Sequence, residues 1–186
     1  MGIPTLIIGA TSITATRRLP SQAFNAVCKQ KLSGMRSQTG KLFTQFLYEK
    51  YSVKVSGLSQ TLYEDLRHEY QRVGFIDLYS ISNRKELFTA TGTTLQFLTT
   101  RRIRIDDGSV AAQVENPPGT VVNASFAVSA GGTQGLVTLT GGTVVIGTDS
   151  VVVRYFPIIN GQIMEFDNGY DWINDQETWN LLFEEA

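Results

Sequence analysis

His68 is the only imidazole in the chain. A general base or a metal ligand is the chemistry it would supply. It falls on the polar side of a helical repeat, four residues after Glu64, where it reads as part of a solvated helix surface. With one histidine in that place, no Ser-His-Asp order can be built. Four carboxylates, Glu165, Asp167, Asp171 and Asp175, stand at short spacing around Asn168 and Gly169. Oxygen donors that dense are what a calcium loop uses, but DNGYDWIND lacks the D-x-D-x-D-G spacing and the closing bidentate Glu, so a solvated turn is expected. Arg101, Arg102 and Arg104 in the run RRIRI could meet phosphate. The alternation puts Arg102 and Arg104 on one face of a strand, and an ion-paired strand or a subunit contact is the expectation. Gly131-Gly132 and Gly141-Gly142 separate strand-like runs and read as hairpin turns, not phosphate loops. No Walker, dinucleotide or zinc pattern is present. The single Cys28 excludes an intrachain disulfide framework and any multi-cysteine metal site, and reads as a small buried hydrophobe. These residues supply no catalytic constellation, so neither enzyme activity nor a cofactor is expected.

The elements that position them centre on Tyr51–Ile81. Tyr51, Val53 and Val55 alternate with Ser52, Lys54 and Ser56, the period of a half-buried strand. Gly57 turns the chain. A helix over about 59–73 follows, capped by Ser59 or Thr61, with Glu64 three residues after Thr61 in the form of a capping box. Leu62, Leu66, Tyr70 and Val73 form its apolar stripe, and Gly74 its left-handed stop. Phe75–Ile81 reads as the next strand. Before this block, Thr5–Ile8, Phe24–Lys31 and the doubly apolar Lys41–Tyr48 read as strands, with Ile13–Thr16 continuing or pairing with the first. Residues 33–40, polar with two glycines, read as an exposed arm. After the block, Asn83–Lys85 reads as a turn. Strands are expected at Glu86–Ala90, Thr94–Thr99, Arg101–Ile105, Val121–Val128, Gly135–Leu139, Val144–Ile146 and Val151–Phe156. Gly161, Asn168 and Gly169 mark further turns, and Thr178–Ala186 reads as a closing strand that pairs into the body.

The chain has 186 residues, 42% hydrophobic and 18% charged, with a formal net charge of −1. The low charge means a surface rich in Thr, Ser, Gly and Asn, the balance of β-sandwiches and assembly subunits. Near-neutrality gives no general drive toward nucleic acid or anionic membrane. No run approaches the length of a membrane span. Ile3–Ala10 is apolar but short, holds Pro4 and lacks a basic leader, so a signal peptide is not expected. From residue 109 to 160 Lys and Arg nearly vanish and Gly, Val and Thr dominate. The expectation is therefore a mainly β protein with one helix: a β-sandwich packed by that helix over 1–105, then a second small antiparallel β region over 106–186. The second region is either an appended sheet or an insertion whose last strand returns to the first sandwich.

The block from Phe43 to Ile81 resembles tail and baseplate adaptor proteins of tailed bacteriophages, a family that includes distal tail proteins and related minor tail proteins. The residues that carry the resemblance are YSVKVSGLS, then LYEDLRHEYQRVG, then FIDLYSI, with support from the closing TWNLLFEEA and the glycine-turn run GLVTLTGGTVVIGTDSVVVRYF. The resemblance implies a helix packed on a sandwich shared with tail tube subunits, and a ring, hexameric in the family, joining the tail tube to the baseplate or tip. It implies partners that are the chain itself and other tail proteins, the tail tube and the baseplate hub. It implies assembly in the host cytoplasm into a virion tail whose channel passes DNA without specific binding. Under it, Met35, Arg36 and Gln38 in the arm, with Arg102 and Arg104, are candidate subunit contacts. The neighbouring readings are a tail tube subunit or a head–tail joining protein. A reading of another class is a carbohydrate-binding sandwich in residues 109–186. Tyr155, Phe156, Tyr170, Trp172 and Trp179 are its stacking platforms, with Tyr170 and Trp172 the main candidates.

Overall fold

The computed structural model describes residues 5–13, 18–36, 42–89, 96–106, 112–116, 119–140, 151–171 and 176–186 of the protein. Among them are one helix, α1 (Gln60–Tyr70), and fifteen strands. In chain order the strands are β1 (Leu6–Ile8), β2 (Thr11–Ile13), β3 (Arg18–Arg36), β4 (Leu42–Leu58), β5 (Ile76–Tyr79), β6 (Arg84–Phe88), β7 (Gln96–Leu98), β8 (Arg102–Ile103), β9 (Ala112–Glu115), β10 (Val121–Val122), β11 (Ala124–Val128), β12 (Gly135–Leu139), β13 (Val151–Tyr155), β14 (Pro157–Asp171) and β15 (Gln176–Glu185). The protein is mainly β with a single helix among the described residues. That helix is too short to cross a membrane.

The chain divides into two compact units, one of residues 1–12 and 77–159, the other of residues 13–76 and 160–186. The expected boundary at 105/106 is not where the division falls. The composition shift there marks the richest part of a sandwich that the chain has already entered: β6 pairs with β13, and β7 pairs with β12. Residues on both sides of 106 therefore belong to the same sheets.

The first unit holds two small antiparallel sheets, β10-β9-β13-β6 and β11-β12-β7. Val114, Val151, Val153 and Tyr155 from one and Phe97, Val137 and Leu139 from the other are buried in one cluster with Ile103 and Ala112. Two inner faces meeting in one apolar layer is sandwich packing. In the same unit β1 pairs with β5, Ile8 opposite Leu78, and β8 pairs with the start of β14, Ile103 opposite Pro157.

The second unit is a sheet of β3, β4, β15 and the β14 residues from Asn160 onward, all antiparallel. Val53 stands opposite Phe183 and Val55 opposite Leu181, and all four are buried. The helix lies on this face. Ser59 is its cap, accepting a hydrogen bond from the Leu62 N–H at 3.3 Å, so of the two capping residues expected it is Ser59 that does the work. Leu62 and Leu66 are fully buried, each gaining roughly 1.5–3 kcal/mol from leaving water. The stripe stops there. Tyr70 is 44% exposed and Val73 wholly exposed, because the helix ends at Tyr70 with Gln71 as its C-cap. Gly74 has the expected positive φ, but it lies beyond the helix.

Several strand limits differ from expectation. The two strands expected at 41–48 and 51–56 are one, β4, and the expected loop at 33–40 is strand as far as Arg36; residues 37–41 lie outside the described residues. Gly57, at φ 74°, sits within β4 as a bulge: Trp179 faces Leu58 while Leu181 faces Val55. Arg84 and Lys85 belong to β6, not to a turn. Gly161, Asn168 and Gly169 are strand residues of β14, each paired across to β15. A Cβ at Gly161 would lie 2.0 Å from the Glu184 carbonyl oxygen, so the glycine is there for close approach of two backbones. The strand expected at 144–146 and the Gly141-Gly142 turn lie outside the described residues.

Leu66→Asp is expected to abolish cooperative thermal unfolding, since it places a charge in the helix–sheet layer. Val73→Asp at the exposed site is expected to shift stability by no more than about 0.5 kcal/mol. Gly161→Ala is expected to lower the melting temperature despite being a one-carbon change. Circular dichroism melts of the three variants check all of these.

Candidate functional site

The first unit is organised around a buried cation. Arg104 follows β8 directly, and its side chain has no exposed surface. Its guanidinium spends its donors within the unit. Nε and Nη2 donate to Asp106 Oδ1 and Oδ2 at 3.0 and 2.8 Å, a two-point pair. Nη1 donates to the carbonyl oxygens of Thr5 at 2.7 Å and of Tyr79 and Ser80 at 3.2 Å. The guanidinium carbon lies 5.6 Å from the Tyr79 ring centroid, within cation–π range. The Arg104 backbone N–H donates to Phe156 O at 2.9 Å. Arg102, two residues earlier, forms an ion pair with Asp77 on β5. The two arginines do share a side of the chain, as the alternation of RRIRI predicts, but that side faces β5. The expectation of Arg104 as a subunit contact is thus corrected: every face of it is covered by its own chain. Arg102 is half-buried and already paired with Asp77.

Asp106 answers this cation. Burial alone would push its carboxyl up, but hydrogen bonds from Arg104 and from its own backbone N–H, with the Arg104 charge, outweigh that and hold it below the usual carboxylate range. A second polar knot lies in the same unit. The Tyr155 hydroxyl, fully buried, donates to Glu86 Oε1 at 2.6 Å, and Arg84 Nε donates to the same oxygen at 2.8 Å. The Thr100 N–H reaches Glu86 Oε2 at 3.0 Å. Burial first, then the Glu86 carboxylate, drives the phenol far above its ordinary value, so Tyr155 serves as a neutral donor. A third knot closes the β9–β10 turn. Glu115 accepts from Arg154 Nε at 2.8 Å and from the Gly119 N–H at 2.9 Å, and those two bonds hold its carboxyl low. Each knot ties neighbouring strands or a turn. None opens a nucleophile and a base toward a common point.

In the second unit the aromatic residues are packed. Tyr63 of the helix stacks on Trp179 of β15 with ring centroids 3.7 Å apart and planes 12° apart, and it tilts against Phe166 of β14 at 5.0 Å. Trp179 is therefore roofed by the helix, and Tyr155 and Phe156 are buried. Tyr155 and Phe156 thus have no face to offer a sugar ring, and the Trp179 face against Tyr63 is taken. The backbone of Tyr170 lies in β14, opposite Glu177; Trp172 lies outside the described residues. His68 is exposed on the last helical turn beside Arg67, where positive charge suits the helix dipole. The acidic run expected as a turn is strand through Asp171, and Asp175 lies outside the described residues. Among the described residues no three of His, Cys, Asp and Glu stand close enough together to hold a metal ion.

The feature best placed to meet another molecule is the β3–β4 ribbon. β15 pairs with β4 only from Leu58 to Ser52. At Tyr51, where that pairing stops, the Glu185 carboxylate accepts the backbone N–H at 2.7 Å. Beyond it β3 and β4 run on together, Cys28 opposite Tyr51 through to Arg36 opposite Leu42. No third strand pairs with this stretch among the described residues. At the strand rise it extends about 30 Å past the sheet. Met35 and Arg36 fall near its tip, opposite Phe43 and Leu42; Gln38 lies outside the described residues. No family model matches the chain, and no curated protein matches it.

Removing the Arg104 guanidinium leaves a carboxylate and three carbonyls behind it. Arg104→Met is expected to cost about 3–5 kcal/mol in urea unfolding. Arg104→Lys recovers part of that, since an ammonium keeps the charge but not the two-point geometry. Asp106 ionises below its ordinary value when folded, so its contribution is fully present above the ordinary carboxylate range and is lost as pH falls through the lower folded value. Asp106→Asn is expected to lower stability near neutral pH and to remove that part of the acid dependence. Unfolding midpoints across the acid range check the sign.

Proposed function

We propose that the protein is a structural subunit of a bacteriophage tail, forming a ring that joins the tail tube to the baseplate or tip. The observation that carries the assembly part is the β3–β4 ribbon. A two-stranded ribbon is marginally stable in water by itself, so one held about 30 Å beyond its sheet calls for a partner outside its own chain. The arm expected from the polar stretch at 33–40 is longer than that stretch, and it takes in strand on both sides. The phage-tail part rests on the resemblance of the Phe43–Ile81 block. Two further observations support it. The helix of that block packs on a sheet through Leu62, Leu66 and Tyr63, as the resemblance implies. The ionisable clusters of the first unit are spent on holding strands together rather than opened to a substrate.

In this reading the protein acts by geometry. The ribbon reaches a neighbouring subunit, the helix-covered sheet keeps the ribbon's base rigid, and the ring surrounds a channel through which DNA passes. A tail tube subunit or a head–tail joining protein would use the same parts, and the form of the assembly tells them apart.

Light scattering followed by electron microscopy of the purified protein is expected to show discrete closed rings; open-ended tubes would assign it to the tube instead. Replacing residues 32–47 by Asn-Gly keeps Lys31 opposite Tyr48 and closes the ribbon with a hairpin turn. That shortened chain is expected to keep its helix signal and to remain monomeric. Rings formed as readily by the shortened chain would sink the ribbon's role.

A further inference from the structure

Charge in the second unit is divided by strand. Residues 17–56, which include β3 and nearly all of β4, hold eight of the protein's sixteen Lys and Arg and one acidic residue, Glu49. Residues 155–186, which include β14 and β15, hold seven of its seventeen Asp and Glu and no basic residue. A chain with a net charge of −1 thus carries two oppositely charged hairpins in one sheet.

The register sends those hairpins in opposite directions. β15 runs antiparallel to β4, Trp179 opposite Leu58 and Glu184 opposite Ser52. The β14–β15 hairpin continues past the Leu58 end, to Asp171 opposite Gln176. The β3–β4 ribbon continues past the Ser52 end, to Arg36 opposite Leu42. In the shared middle the two signs are neighbours, with Lys54 opposite Leu182 and Glu184 two residues along. Past that middle β15 and β4 no longer pair. Lys29, Lys31, Arg36 and Lys50 belong to the ribbon, with Lys29 opposite Lys50 in the register. On the other hairpin Glu177 lies past the Leu58 end, while Glu165 and Asp167 stand level with the β15–β4 pairing, and all three are exposed.

We infer that the basic β3–β4 ribbon of one copy docks against the acidic β14–β15 hairpin of the next. The occupant is a second copy of this chain because the complementary charge is carried by its own β14–β15 hairpin. Ribbon against ribbon, or hairpin against hairpin, sets like charges face to face, so a two-fold dimer through either end is disfavoured. What is left is ribbon against hairpin, which makes a two-fold dimer when two copies exchange it reciprocally; repeated head to tail, it closes into a ring when its rotation closes and otherwise runs on as a filament. The contact rests on the assembly-subunit reading for its partner, and it adds which surfaces meet and why.

Sedimentation of the full chain at low and high salt is the first test, and it needs no variant. A contact between opposite charges is screened by salt, so association is expected at low salt and its loss at high salt. Two charge-reversed chains sharpen it: Lys29→Glu with Lys31→Glu and Arg36→Glu, and separately Glu165→Lys with Asp167→Lys and Glu177→Lys. Each alone is expected to sediment as a monomer. Mixed, they are expected to associate again, because each then offers the other an opposite end, and that recovery also shows that both fold. A wild-type chain that stays monomeric at low salt overturns the contact, as does a reversed chain that associates alone or a folded pair that fails to associate when mixed. Rings that survive charge reversal keep the ring-subunit reading and overturn this contact. Salt-sensitive open chains keep the contact and overturn the closed ring.

Discussion

The first unit depends on one desolvated charge. Moving a guanidinium out of water costs several kcal/mol even after relaxation, and Arg104 has no exposed surface through which to recover it. It recovers that cost only if every donor finds an acceptor. The acceptors come from three places in the chain: Thr5 ahead of β1, Tyr79 and Ser80 at the end of β5, and Asp106 just after the arginine itself. A slip of one residue in any of these would strand a carbonyl or the cation. Apolar contacts tolerate such slips far better, because one methyl group resembles another. Arg104 therefore contributes less through net attraction than through intolerance of the wrong register. The sandwich cluster beside it, Val114, Val137, Val153 and their neighbours, supplies the non-directional part of the stability.

The second unit solves a different problem. Its sheet is apolar on the face that carries Val53, Val55, Leu181 and Phe183, and one short helix covers it. Eleven residues are too few for a helix to persist alone, so α1 exists because Leu62, Leu66 and Tyr63 find this face. Its early end follows from the same fact. Past Tyr70 there is no sheet-facing position left to reward, and the chain leaves the helix before its sequence pattern runs out. The bulge at Gly57 and the close approach at Gly161 adjust the strands next to the helix, so that long strands can run past a compact, covered middle.

What the sequence reveals, and what it hides, divides along those lines. The helix, β12 and the closing strand are legible because their apolar periods are set by burial on one face, and β13 because Val151, Val152 and Val153 make a continuous buried run; both are local properties. Strand at Ser33–Arg36 is not legible: SGMR has a loop composition, and its pairing with Leu42–Gln45 is made by backbone groups that every residue carries. Glu49-Lys50 breaks the apolar run of β4 into what look like two strands, although a charged pair on a ribbon does nothing to interrupt its hydrogen bonds. Asn168-Gly169 has the composition of a turn, yet both residues lie in the ladder with β15. Arg104 is the largest miss. The alternation in RRIRI correctly puts Arg102 and Arg104 on one side, but whether that side is water or interior depends on carbonyls as far as 99 residues away. No local pattern records them.

The basic residues of the ribbon connect this architecture to its use. β3 lies at the edge of its sheet, and an uncovered edge strand of that length is a template for unwanted pairing with any other strand. Lysine on an edge is a common defence, since bringing two such edges together crowds like charge. Lys29, Lys31 and Lys50 lie where the defence is needed most, on the stretch that no third strand covers among the described residues. A defence made of charge is selective in a way that proline or a bulge is not. It repels other copies of the same ribbon, neutral strands gain little from it, and an acidic strand is drawn in. In the proposed contact the acidic β14–β15 hairpin of a second copy meets that requirement, so the residues that keep the edge from aggregating would also choose what the edge accepts.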